Sequence, residues 1–143
     1  MRIALFLLII FLSACGSSGI INGNLINQPV PTNQARIVIN RNEAILYFAS
    51  GVNVTINGIK EESLARGATL IKNIPAGRTN LSVDATADFG KFTVTFDAAK
   101  GKTYFIEISP RYETFGRSLE WSGLNAIFGE NTGPFKAKIK EIR

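Results

Sequence analysis

The chain has 143 residues, 45% of them hydrophobic and 19% charged, which are the proportions of a folded domain and exclude a disordered one. It carries a net charge of +5, no histidine and a single cysteine, Cys15. Disulfides within the chain, Ser-His-Asp and Cys-His catalytic arrangements and the usual zinc ligand sets are therefore excluded.

Met1-Arg2 is followed by an apolar run from Ile3 to Leu12 and then by Ser13-Ala14-Cys15-Gly16. One positive charge, a short apolar core and small residues before a cut site form the pattern of an export signal. The run is about half of the ~20 apolar residues that a membrane span needs. Leu12-Ser13-Ala14-Cys15 resembles the lipobox of bacterial lipoproteins. The resemblance implies cleavage before Cys15, a diacylglyceryl thioether on its sulfur and acylation of the new amine. Residues 1–14 are then a signal peptide, and Cys15 is the lipidation site that makes the bilayer a partner. Gly16 stands where aspartate would favour the inner membrane, which implies the outer membrane in a host that has one. Loss of Arg2 with the signal takes the net charge from +5 to +4. This excess suits an anionic envelope surface or simple solubility. No nucleic-acid partner is expected of an exported, tethered chain.

Residues 15–34 read as a flexible tether, rich in Gly, Ser, Asn and Gln, with Pro29 and Pro31 and no charge. The domain is expected over 35–143, and its dominant period is two. Val52, Val54 and Ile56 alternate with polar residues. So do Leu81, Val83 and Ala85; Phe92, Val94 and Phe96; Tyr104, Ile106 and Ile108; and Phe135, Ala137 and Ile139. Less regular strands are expected at Arg36–Arg41, Ala44–Ala49 and Ala68–Ile74, and a short helix over 118–128. Asn57-Gly58 predicts a two-residue hairpin turn. Pro75-Ala76-Gly77, Asp88-Phe89-Gly90 and Lys100-Gly101-Lys102 punctuate later strand ends. About eight short strands at near ten-residue spacing predict an all-β fold, a small antiparallel β-sandwich.

The stretch Val52–Gly58, then Ile74-Pro75-Ala76-Gly77, Leu81–Ala85 and Ala99–Ile106 is similar to a known pattern. It resembles the β-sandwich domain of bacterial lipoproteins related to PEGA-type and transthyretin-like modules, with an immunoglobulin-like layout. The similarity covers about half the chain. Pro75-Ala76-Gly77-Arg78 departs from the literal Pro-Glu-Gly-Ala. The resemblance implies a fold and no activity.

Few residues are candidates for chemistry. Asp84, Asp88, Asp97, Glu107, Glu113 and Glu120 fall mainly at outward strand positions or turns, where a carboxylate is solvated. No catalytic pair, metal site or cofactor is expected from them. Tyr112 and Trp121 belong to an aromatic-rich stretch that either closes one end of the core or offers a partner face. Lys136, Lys138 and Lys140 line one face of the last strand. They would either protect a sheet edge or touch anionic headgroups or a carboxylate-rich partner. The expected function is a non-catalytic accessory or interaction module of the envelope, bound to an envelope protein. The alternative is a glycan-binding module that uses the exposed aromatics.

Overall fold

The computed structural model describes residues 19–47, 49–86, 90–112, 131 and 133–143. Nine strands follow in order: β1 Ile20–Ile21, β2 Gln34–Arg41, β3 Val52–Ile56, β4 Ile59–Lys60, β5 Thr69–Pro75, β6 Gly77–Ala85, β7 Lys91–Ala98, β8 Thr103–Pro110 and β9 Phe135–Ile142. They form two sheets, ordered β1-β5-β2-β8-β9 and β4-β3-β6-β7. The fold is all-β, and the expected helix over 118–128 lies outside the described residues.

Two sets of alternating side chains meet between the sheets. Ala35, Ile37, Ile39, Leu70, Ile74, Tyr104, Ile106, Ile108, Phe135 and Ala137 come from the five-stranded sheet. Val52, Val54, Ile56, Leu81, Val83, Ala85 and Ala98 come from the other, in one buried cluster. Burying such a face is what stabilises a sheet in a chain without disulfides. Phe92, Val94 and Phe96 join the cluster but are only half-buried, because β7 is the edge strand of its sheet. Phe96 packs on Tyr104 with ring centroids 5.1 Å apart. The Tyr104 hydroxyl donates to the Asp97 carbonyl at 3.0 Å and accepts from the Ala99 amide at 2.8 Å, which fixes the crossing from β7 in one sheet to β8 in the other.

Pairing direction corrects the expectation of a purely antiparallel sandwich. β2 runs parallel to β8, with Ile37 opposite Tyr104, and β1 runs parallel to β5. A period of two reports which side chains share a face and is blind to strand direction. The expected strand over Ala44–Ala49 is also absent, and its described residues form bends and turns. Tyr47 there has φ 59°, off the extended region, and the Tyr47 and Ser50 carbonyls bond to the Arg41 side chain. The Asn57-Gly58 expectation holds. Their φ angles are 50° and 82°, Ile56 pairs with Ile59, and both residues have the left-handed backbone of a type I′ turn.

Part of the segment read as a tether lies on the domain. Ile20 and Ile21 pair with Thr69 and Leu70, and a single 3-10 turn, Gly23–Asn27, packs against β5.

Candidate functional site

The lower end of the sandwich is where β2 and β8 finish and β1, β5 and β9 begin. Arg41 closes β2 there. The alternation Ala35, Ile37, Ile39, Arg41 puts its side chain on the inner face, and it is only 2% exposed. Its Nη1 donates to the Ser50 carbonyl at 2.5 Å and the Leu64 carbonyl at 2.9 Å, and Nη2 donates to the Tyr47 carbonyl at 2.8 Å. The guanidinium also stacks over Phe135 at 5.1 Å, and Tyr47 packs on that same ring at 5.5 Å. Among the described residues no ion pair includes Arg41. Burial and, secondarily, the charge of Arg66 lower its pKa, but an arginine stays protonated across the working range. Carbonyl dipoles and a ring face thus carry this charge, where a carboxylate usually would. The arrangement fastens the 42–51 crossing to the sheet. Its donors face inward to the chain's own carbonyls, so it holds structure and offers no ligand site.

A second buried arginine sits on the opposite face of β2. Arg36, 3% exposed, donates from Nε to Asn73 Oδ1 at 2.9 Å. From Nη1 it donates to the Gln28 carbonyl at 2.7 Å, and from Nη2 to the Pro29 carbonyl at 3.3 Å. Sequence reasoning passed over both arginines. The signal for Arg41 was present in the alternation, whereas Arg36 needed the fold of residues 22–31 to be known.

The lysine row lies along the outer face of β9, an edge strand. Lys136 is half-buried opposite Ser109, and Lys138 is exposed opposite Glu107. The register shifts between Ile139 and Glu141, and Lys140 at that bulge reaches the Glu107 carboxylate at 3.5 Å. The three lysines share one face, but a carboxylate already sits among them. Tyr112 follows β8 at the lower end and is 66% exposed. It is the one exposed aromatic ring among the described residues; Trp121 lies outside them. Cys15 also lies outside them.

The described carboxylates do not converge. Asp84 accepts from Asn53 Nδ2 at 2.7 Å on the outer face of the four-stranded sheet. Glu61 pairs with Lys72 between the two sheets, and Glu141 with Arg143 at 2.6 Å. The Arg143 hydrogen bond lowers the pKa of Glu141 and raises that of Arg143. Asp88, Glu113 and Glu120 lie outside the described residues. No group of three metal-ligating side chains occurs among those described.

No protein-family model matches the chain, and no curated protein does. The functional reading therefore stands on the residues themselves.

Proposed function

We propose that the chain is an exported lipoprotein whose Cys15 carries the lipid, and that its β-sandwich is a non-catalytic interaction module of the envelope. The observation that carries this reading is the apolar run Ile3–Leu12 leading directly into Leu12-Ser13-Ala14-Cys15. Two or three acyl chains on one residue anchor stably, since each buried CH₂ contributes ~0.8 kcal/mol and one chain alone is marginal. The domain is of the PEGA-type or transthyretin-like kind. In support, Asn57-Gly58 forms a hairpin turn, Gly77 has φ 120° and Gly101 φ 72° at strand ends, and Tyr104 is the second residue of the strand after Lys100-Gly101-Lys102.

An interaction role is supported by how the carboxylates are used. Asp84, Glu107 and Glu141 on the outer faces, and Glu61 between the sheets, each meet a donor from the chain itself, so these carboxylates serve local pairing and not a shared acid–base site. The outer membrane is the proposed location where the host has one, because Gly16 follows Cys15. Cys15→Ser is expected to abolish incorporation of labelled palmitate and leave an uncleaved, slower-migrating precursor. Undiminished labelling of that variant would overturn the reading.

A further inference from the structure

Strand direction settles where the lipid would meet the domain. β1 runs parallel to β5, so its first residue stands at the lower end, and the Gly19 carbonyl accepts the Thr69 amide there at 2.8 Å. Gly19 comes four steps along the chain after Cys15, with three residues between them. Whatever path the chain takes, these steps span at most about 14 Å, at ~3.3–3.6 Å per residue. The upper end, with the Asn57-Gly58 and Lys100-Gly101-Lys102 turns, is a further ~25 Å away along strands of about eight residues.

Three exposed apolar or aromatic side chains stand at the lower end, against Ile59 (64% exposed) and Ile142 (53%) at the upper one. Ile20 is 68% exposed beside the start of β5, Ile45 is 77% exposed on the crossing from β2 to β3, and Tyr112 is 66% exposed just past β8. Ile20 opens β1, Ile45 lies between β2 and β3 and Tyr112 follows β8, yet all three stand at the foot of the sandwich. The charges there are mixed: Arg66 and Lys91 are exposed, and so are Glu43 and Glu62. The upper end is more cationic, with Arg78, Lys100, Lys102 and Arg143 against Asp97 and Glu141. Long-range attraction to anionic lipid would favour the upper end, but such attraction fades over a Debye length of about 8 Å. The short tether holds the lower end close.

We infer that the domain stands on the bilayer by its lower end, with Ile20, Ile45 and Tyr112 seated in the headgroup region. This rests on the lipoprotein reading above. Apolar side chains and an amphipathic tyrosine ring are suited to that layer, where one end of a group is wet and the other is not. The cationic upper end then points away from the membrane, free for a partner.

The test uses the full-length lipidated protein in phosphatidylethanolamine–phosphatidylglycerol vesicles. Because Cys15 is tied up as a thioether, Ile45→Cys, Tyr112→Cys and Ile59→Cys each present one free thiol for a bimane label. Lipids spin-labelled near the headgroup are expected to quench labels at positions 45 and 112 at least about threefold more than at 59, given burial of ~5–10 Å into the interface. Equal quenching at all three, or stronger quenching at 59, would overturn the inferred orientation. Acylation is read separately, from the mass of the N-terminal residue. An unmodified Cys15 would overturn the lipoprotein reading and the orientation together, whereas an acylated Cys15 with equal quenching would overturn the orientation alone.

Discussion

The central strands of the two sheets are treated differently by the fold. β6 buries Thr79, Leu81, Val83 and Ala85 on one face, and turns Asn80, Ser82 and Asp84 outward. There Ser82 shares a hydrogen bond with Thr93 at 2.9 Å, and Asn80 accepts one from Thr95 at 2.7 Å. β2 instead buries both faces: Ala35, Ile37, Ile39 and Arg41 inward, Arg36 and Val38 outward, with Ile71 of β5 buried opposite Val38. The outward pair Val38 and Ile71 lies outside the main core cluster. The N-terminal segment reaches this face, tied through its Gln28 and Pro29 carbonyls to Arg36. A strand can be apolar on its outer face when another part of the chain covers it. The stretch that leads toward Cys15 is therefore part of the fold from Gly19 onward.

Four substitutions put that contrast at risk. The largest loss is expected from Arg41→Ala. It removes a donor from the Tyr47, Ser50 and Leu64 carbonyls, of which the first and last keep the Ser50 and Val52 amides. At ~1–3 kcal/mol for the unsatisfied Ser50 carbonyl, together with the lost bonds to the other two, the domain should lose about 3 kcal/mol in urea titration. A loss below about 1 kcal/mol would mean that water replaces the guanidinium and that the interior end of β2 is not closed.

Arg36→Ala should cost less, about 2 kcal/mol, because its hydrogen bonds are only part-buried. Its signature is local: residues 22–31 become sensitive to protease while the sheets stay intact. If cleavage there were unchanged, the N-terminal segment would be held by something other than Arg36.

The outer faces can be compared directly. Val38→Ala removes buried apolar surface and should cost about 1.5 kcal/mol. Ser82→Ala, outward on β6, should cost about 0.5 kcal/mol or less, as surface substitutions do. Equal effects measured by thermal unfolding would erase the distinction between the covered face and the open one.

Much of the architecture is legible in the chain. The alternation in Val52–Ile56, Leu81–Ala85 and Tyr104–Ile108 fixed which side chains face inward, since an extended backbone sends neighbours to opposite sides. Asn57-Gly58 specified its turn, because both residues tolerate positive φ. The same reasoning failed at Ala44–Ala49, where an apolar stretch of strand-like composition turns at Tyr47 and gives that residue's carbonyl to Arg41. It also missed the covering role of residues 22–31, whose composition is that of a loose linker. On the candidate site, the lysine row was readable as a row on one face. That Glu107 already sits among those lysines was not, because it depends on the β8–β9 register.

The division follows from what acts locally. Sequence by itself determined the class of fold, the hairpin turn and the inward faces, because each depends on residues adjacent along the chain, and it carries the motif on which the proposed export and lipidation rest. Tertiary structure decided the parallel pairing of β2 with β8, the two buried arginines and the placement of Gly19, Ile45 and Tyr112 at one end. Strand direction and sheet order arise from contacts between residues far apart in the chain, and a period of two is the same whichever way a strand runs.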